Sequence, residues 1–327
     1  MKDDNDKRRA RVRSRFLFPA AVAMLALPML VIACGDDNSS SGGGGGNLSG
    51  TIRIDGSSTV GPLSEAAAEL FREENPDVRI TVGISGTGGG FEKFCAGETD
   101  VSDASRAIEQ DEIDACREQN IDYEEVTVAN DGLAVVVNPD NDWAECLTTA
   151  ELKKVWDRGS NVSNWNQVRS DFPDQGMKLF GAGTDSGTFD YFTEAINGEE
   201  GRTRKDYSPT EDDNVTVQGV SGDAGNLGYF GLSYAIANEG RVKTVQVDGG
   251  DGCVEPTTET VQNGTYKPLG RPLFIYPSAQ ALQKEVVREF VQFYVDNQEA
   301  IAEQAQFVPL TEEQQQEADD KVAQLAS

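Results

Sequence analysis

The stretch TIRIDGSSTVGPLSEAAAELFREENP, residues 51–76, contains the unit on which the fold prediction depends. Apolar and polar side chains alternate in its first residues, which is typical of a strand. Apolar residues then recur at helical spacing from Leu63 to Phe71, and Pro76 ends the helix. A turn rich in hydroxyl groups, Ser57 to Thr59, separates the two parts. The stretch therefore predicts a strand, a hydroxyl-rich turn and a helix, in that order.

The same unit recurs further along the chain. VRITVGISGTGGGFEKFCAGE, residues 78–98, and MKLFGAGTDSGTFDYF, residues 177–192, each lead from a strand pattern through a turn rich in glycine and hydroxyl residues into a helix. Strands that alternate with helices predict an α/β fold with mostly parallel or mixed sheets. Ligands of such sheets bind beyond the carboxyl ends of the strands, where the helices begin. We therefore expect the functional residues in these turns.

Other segments predict how the chain passes between two lobes. EEVTVANDGLAVVVN, residues 124–138, is rich in β-branched residues and has a glycine break, which predicts two successive strands or one long strand that crosses between lobes. We expect a return crossing near residues 264–275. We also expect strands at NVTVQGV, residues 214–220, and a long helix over 279–296, whereas GDAGNLGYFGLSYA, residues 222–235, predicts a turn into a short helix.

The first residues predict an export signal. A basic region ending at Arg15 precedes the apolar run from Phe16 to Ala33, and a retained membrane helix is the alternative interpretation. The run ends in Val-Ile-Ala-Cys, which resembles the lipobox of bacterial lipoproteins, and this resemblance implies that Cys34 is acylated and anchors the protein to the membrane. We expect a signal peptide over residues 1–33 and a flexible Gly/Ser tether over 34–49, with the export route left open.

Four cysteines remain when Cys34 carries the lipid, and three disulfide connectivities are then possible. We favour Cys95–Cys116 and Cys146–Cys253, because each pair then lies within one predicted lobe. Reduced, buried thiols are the alternative.

The charge of the chain excludes nucleic acid as a partner. Removal of residues 1–33 takes seven basic and three acidic side chains from totals of 28 and 56, which leaves 21 and 53 and a net charge of −32. Such acidity repels polyanions and keeps a protein soluble. An anion site in this chain must therefore depend on short-range hydrogen bonds and dipoles, because distant charges are screened beyond about 8–10 Å.

Three turns, at residues 57–59, 86–90 and 185–188, have the composition of an anion site. A helix N-terminus presents unpaired N–H groups and a partial positive charge, glycine lets the backbone approach a ligand, and Ser and Thr hydroxyls donate to oxyanions. Each turn on its own is more typical of an ordinary N-cap than of an anion site. The similarity of all three favours binding of an anion.

The segment Ser102-Asp103-Ala104-Ser105-Arg106 adds charged groups to this prediction. Arg106 can bind two oxygens of a tetrahedral anion at once, although a surface salt bridge is the alternative. Asp103 or Asp185 can accept a hydrogen bond from an anion that still carries a proton, which favours phosphate over sulfate. Asp103 can instead pair with Arg106.

In these motifs the chain resembles the substrate-binding lipoproteins of bacterial high-affinity phosphate ABC transporters, the PstS family. The resemblance extends over nearly all of residues 50–310, and it is carried by DGSSTVGPLSEA, VGISGTGGGFEKFCAGETDVSDASR, DGLAVVVNP, LKKVW, GAGTDSGTFDYF, GNLGYFGLSYA and RPLFIY. It implies an α/β, two-lobed type II periplasmic-binding-protein fold, with a ligand cleft between lobes joined by two crossing strands. The expected lobe I comprises residues 50–130 and 266–327, and lobe II comprises 131–265.

The resemblance also implies a set of phosphate-binding residues. The matching positions are Ser58, Thr59, the backbone of Val60, Thr87, Asp103, Ser105, Arg106, Ser186, Gly187 and Thr188. Some members have an arginine where this chain has Ala182, so Arg106 is expected to bind the anion and the proton-accepting aspartate stays open.

The expected function is capture of inorganic phosphate outside the cell membrane and its delivery to permease subunits. The protein is expected to be a lipid-anchored monomer that is not an enzyme and has no cofactor or metal. Sulfate or molybdate is the alternative ligand. A serine hydrolase built on TDSGT is a further alternative, but the chain has no histidine to serve as its usual base.

Overall fold

Strands alternate with helices along the computed structural model, which describes residues 48–184 and 186–325. The strands are β1 Gly50–Gly56, β2 Val78–Ile84, β3 Val101–Ala104, β4 Val126–Val137, β5 Cys146–Thr148, β6 Leu179–Ala182, β7 Ser208–Thr210, β8 Leu227–Gly231, β9 Lys243–Thr244, β10 Gln246–Asp248, β11 Cys253–Val254 and β12 Gly270–Pro277. The α-helices are α1 Gly61–Glu74, α2 Gly86–Cys95, α3 Gln110–Glu118, α4 Thr149–Trp156, α5 Trp165–Val168, α6 Gly187–Phe192, α7 Asp213–Ser221, α8 Leu232–Ala237, α9 Thr258–Gln262, α10 Glu285–Asp296, α11 Gln298–Gln304 and α12 Glu312–Leu325. A π-helical turn, Thr193–Asn197, continues α6, and a 3₁₀ turn, Ala281–Gln283, precedes α10.

The larger sheet is mixed. Its strand order is β2-β1-β3-β12-β4-β8-β6-β7, and β9 also pairs with β4. The strands β1, β2 and β3 are parallel, as are β6, β7 and β8, whereas β4 and β12 are antiparallel to their neighbours. This alternation of parallel strands and helices confirms the predicted α/β class.

Two strands connect two large apolar cores. The first core contains residues from 52 to 129 and from 273 to 322, and the second contains residues from 133 to 269 together with Val308. The start of β4 pairs with β12 and belongs to the first core, whereas its end pairs with β8 and belongs to the second. The segment 124–138 is therefore one long crossing strand, and β12 is the return crossing.

Both favoured disulfide pairs are confirmed. Cys95, at the end of α2, is bonded to Cys116 in α3, and Cys146 in β5 is bonded to Cys253 in β11. The second bond joins two strands of a small sheet with the order β11-β10-β5.

One prediction of secondary structure is wrong, and two others are wrong in part. Residues 214–220 lie in α7 because Asp212 caps that helix through Asn214 N–H, and Thr216, Val217 and Val220 form one buried helical face. Residues 222–235 contain β8 before α8, since β8 is buried between β4 and β6 and therefore has no alternating pattern. The long helix predicted over 279–296 begins only at Glu285.

Among the described residues, no helix combines the length and the apolar character needed to cross a bilayer. The predicted signal peptide, the lipidation site Cys34 and most of the tether lie outside the described residues.

Candidate functional site

A cavity of about 470 Å³ lies where the first two predicted turns meet α6, whereas Ser186, Gly187 and Thr188 of the third turn are not among its lining residues. Elements of both cores contribute to it, because α6 packs in the second core while α1 and β2 pack in the first. Its lining residues are Ser57, Ser58, Thr59, Ile84, Ser85, Gly86, Thr87, Gly88, Gly89, Ser105, Arg106, Asp190, Tyr191, Glu194, Glu200 and Arg271. The structure thus brings together five of the predicted side chains, those of Ser58, Thr59, Thr87, Ser105 and Arg106.

The first turn is held by its own hydrogen bonds and by the end of β3. Ser57 N–H donates to the backbone oxygen of Asp103 at 2.9 Å, and Ser57 Oγ accepts from Thr59 N–H at 3.1 Å. These bonds place the hydroxyls of Ser58 and Thr59 on the cavity wall. Val60 is fully buried at the N-cap of α1, so its side chain anchors the turn in the first core.

The second turn and the segment after β3 form one polar surface. The hydroxyls of Thr87 and Ser105 lie 3.1 Å apart, and Ser105 N–H donates to Thr87 Oγ1 at 3.2 Å. A Cβ at Gly90 would lie 2.5 Å from the Cα of Gly56, so glycine lets α2 pack directly on β1. The glycine-rich sequence therefore serves close packing as well as access to the cavity.

The guanidinium of Arg106 is already engaged by an acidic side chain. Its two Nη atoms donate to the two carboxylate oxygens of Glu112 at 2.8 and 2.7 Å, and Nε lies 3.4 Å from Glu109 Oε1. This pairing raises the pKa of Arg106. The salt bridge that the sequence left as an alternative for Arg106 is present, although the side chain also lines the cavity.

Asp103 lies behind the cavity wall. Its side chain is fully buried and accepts a hydrogen bond of 2.8 Å from Ser64 Oγ, and Ser64 Oγ lies 3.3 Å from Tyr294 Oη. Among the described residues its Oδ2 has no hydrogen-bond partner, and burial raises its pKa to about 8. Asp103 therefore bonds to Ser64 and not to Arg106. Of the described residues that line the 470 Å³ cavity, Asp103 is not one.

The third turn contacts the first turn. Ser186 is the N-cap of α6, where its Oγ accepts from Thr188 N–H at 3.2 Å, and Gly187 O lies 3.5 Å from Thr59 Oγ1. Thr188 lines a smaller neighbouring cavity of about 100 Å³ together with Asp131. Asp185 lies outside the described residues.

Several groups in the cavity were not predicted from the sequence. Asp190, Tyr191, Glu194 and Glu200 follow the third turn, and Arg271 comes from β12. The sequence did contain a signal for Arg271, because an arginine stands at the start of an apolar crossing strand. The strand pattern alone does not predict which cavity the arginine side chain lines.

Carboxylates give the cavity an unusual electrostatic character. Burial raises the pKa of Asp190, although the hydrogen bond from Ser58 and the charge of Arg271 act to lower it. Burial also raises the pKa of Glu200, and the nearby Asp190 and Glu194 raise it further. Two arginines, hydroxyl donors and carboxylate acceptors therefore meet in one cavity, a combination that suits a small oxyanion that carries a proton.

No group of three or more His, Cys, Asp or Glu side chains in the described ranges is arranged to hold a metal ion. The polar groups that line the 470 Å³ cavity are hydroxyls, arginines and carboxylates.

Comparisons with known proteins give consistent results. The PBP superfamily domain matches residues 41–298. SphX from Synechococcus elongatus is 49% identical over 262 residues, which cover 79% of this chain and 77% of SphX. The phosphate-binding protein PstS from Staphylococcus haemolyticus is 37% identical over 289 residues, which cover 87% of this chain and 90% of PstS. A possible phosphate binding protein from Planctomyces limnophilus, known from a crystal structure, is 46% identical in sequence and superimposes with a TM-score of 0.83. The match covers 86% of this chain and 100% of the Planctomyces chain.

Proposed function

Because the chain belongs to the PBP superfamily and, within it, to the family of PstS and SphX, we propose that it binds inorganic phosphate and delivers it to an ABC permease. The type II periplasmic-binding fold predicted from the sequence is confirmed by this membership. The observation that carries the proposal is the cavity in which Ser58, Thr59, Thr87, Ser105 and Arg106 meet.

The ligand binds between two lobes that close around it. Lobe I comprises residues 50–130 and 266–327, and lobe II comprises 131–265. The separation of the two apolar cores near residues 130 and 270 supports this division, with Val308 as the exception because it packs in the second core. Closure buries the anion, so that directed donors in a region of low dielectric replace its lost hydration.

Phosphate is favoured over sulfate because a carboxylate lies in the cavity. Asp190 accepts a hydrogen bond from Ser58, and its second oxygen can accept the proton that phosphate carries near neutral pH. Sulfate has no such proton and would face an uncompensated negative charge. Asp190, rather than Asp103, is thus the acceptor that this geometry supports.

The protein acts by binding and not by catalysis. The hydroxyl of Ser186, which a hydrolase would need as its nucleophile, accepts a hydrogen bond as the cap of α6. The phosphate-binding names of the PstS relatives support the same conclusion.

The site of action is the outer face of the cell membrane. The lipobox-like sequence that ends at Cys34 supports a lipid anchor there. We propose that the protein is a monomer, because one anchored chain is sufficient to deliver phosphate to a permease.

Isothermal titration calorimetry at neutral pH tests the function. The mature chain is expected to bind one phosphate per molecule with a Kd of about 1 µM or lower. Sulfate at the same concentration is expected to leave the phosphate titration unchanged. Absence of phosphate binding would refute the proposal, and equal competition by sulfate would refute the role of the carboxylate.

A further inference from the structure

We propose that Arg271 is a phosphate-binding residue and supplies the principal positive charge to the anion. The inference rests on the proposed function, because it names a further group of the same site. Its basis is the position of one guanidinium, whose neighbours come from both halves of the molecule.

Arg271 lies where the two crossing strands pair. It faces Asp131 in the register of β12 and β4, and its side chain is only 14% exposed. One Nη atom donates to Thr59 Oγ1 at 3.1 Å. Because Thr59 belongs to the first turn, the guanidinium is within reach of any ion that this turn binds.

The plane of the guanidinium is fixed by an aromatic ring. Its Cζ lies 3.4 Å from the centre of the Tyr191 ring, and Tyr191 Oη donates to the backbone oxygen of Pro268 at 2.8 Å. A stacked arginine keeps its edge free to donate, and its donors are held in a fixed direction. The edge of Arg271 is therefore oriented before any ligand arrives.

The donors of Arg271 are less occupied than those of Arg106. Arg106 gives both Nη atoms to Glu112 at 2.7–2.8 Å, whereas the closest contact of Arg271 with Asp131 is a single 3.4 Å approach from Nε. The other Nη atom of Arg271 lies 4.0 Å from Glu194 Oε2, beyond hydrogen-bond range. Binding of an anion by Arg271 therefore does not require a short bidentate salt bridge to break.

The acidic partner of Arg271 accepts a hydrogen bond from Nε alone, so the Nη atoms of Arg271 are not bonded to this carboxylate. Asp131 is almost completely buried, and burial raises its pKa although Arg271 acts to lower it. A tetrahedral anion between Thr59 and Arg271 would be compensated by a guanidinium that is partly desolvated, where charge-assisted hydrogen bonds are strong.

The test compares phosphate binding of three variants with that of the unchanged mature chain. Arg271→Gln is expected to raise the Kd for phosphate about 100-fold, because the anion loses a buried charged partner. Arg271→Lys is expected to weaken it about tenfold, since lysine keeps the charge and loses the fork of donors. Arg241→Gln is the matched control, because Arg241 is an exposed arginine bonded to Asn238, and it is expected to bind as the unchanged chain does.

The outcomes separate the inference from the function. If the unchanged chain binds phosphate and a folded Arg271→Gln variant binds it within threefold, the inference is wrong and the function stands. If the unchanged chain fails to bind phosphate, the function is wrong and the inference falls with it.

A second measurement does not depend on the folding of a variant. The ¹⁵N side-chain signals of Arg271, assigned in the unchanged chain by through-bond correlation with its backbone amide, are recorded by NMR with and without phosphate. A direct contact predicts a shift of these signals and slower exchange of their protons on addition of phosphate, whereas a structural role predicts no change. Unchanged signals at saturating phosphate would overturn the inference.

Discussion

Ser58 and Asp190 are joined across the cavity by a hydrogen bond of 3.0 Å from Ser58 Oγ to Asp190 Oδ2. Ser58 belongs to the turn before α1 and Asp190 to α6, so this bond links the elements of the two cores. It also places a carboxylate acceptor beside a hydroxyl donor of the proposed site. A phosphate ion with one proton can satisfy both groups, whereas a fully ionised anion can satisfy only the donor.

Asp190→Asn tests the selectivity that follows from this arrangement. The amide nitrogen can donate a hydrogen bond to an oxyanion, so the variant is expected to bind phosphate more weakly and sulfate more tightly. The preference for phosphate is expected to narrow by at least about tenfold, the effect of one hydrogen bond to a charged group. Competition calorimetry at neutral pH measures the ratio of the Kd for sulfate to the Kd for phosphate. Glu239→Gln, which removes an exposed carboxylate, is the control. An unchanged ratio would exclude Asp190 as the acceptor.

Gly187→Ala tests the contact between the first and third turns. An added Cβ would lie 2.8 Å from Thr59 Oγ1 and 2.9 Å from Thr59 Cα, so these turns must move apart. Phosphate affinity is expected to fall by at least about tenfold, because a small misplacement of binding groups has a large effect. The thermal unfolding temperature should change little. In Gly176→Ala the new Cβ would meet no described atom within 4 Å, and this variant should bind normally. Equal affinities in both variants would contradict a site between these turns.

Asp103 predicts a pH dependence of stability. Its pKa is raised from 3.8 to about 8 by burial, so the folded protein holds a proton that the unfolded chain has released above pH 4. The free energy of unfolding is therefore expected to fall as the pH rises from about 4 to about 8. Asp103→Asn keeps the shape of the side chain and should flatten this slope. Urea unfolding at a series of pH values measures it, and an equally steep slope in the variant would assign the effect to other groups.

The two disulfides should differ in their contribution to stability. Cys146–Cys253 closes a loop with a sequence separation of 107 residues, and Cys95–Cys116 one of 21 residues. On the chain-entropy argument their removal by paired Cys→Ser substitutions costs about 5 and about 3 kcal/mol, respectively. Urea unfolding of both double variants gives the order, and a larger loss for the shorter loop would contradict the entropic explanation.

The sequence predicted the parts of the site that depend on local pattern. The turns at residues 57–59 and 86–90 and Arg106 could be found because strand, turn and helix follow each other in the chain. Asp190 and Arg271 could not be placed, because their position depends on how α6 and β12 meet the first turn across more than 100 residues of sequence. Residues 214–220 were predicted as a strand because Val and Thr favour strands, but an N-cap and a buried helical face outweigh that preference.

A crystal structure of the mature chain grown with phosphate would show whether the anion binds at the proposed site. We expect one phosphate ion in the 470 Å³ cavity, within hydrogen-bond distance of Thr59 and of an Nη atom of Arg271, with a protonated oxygen facing Asp190. A phosphate ion bound elsewhere, or a cavity without phosphate at a saturating concentration, would contradict the proposed site.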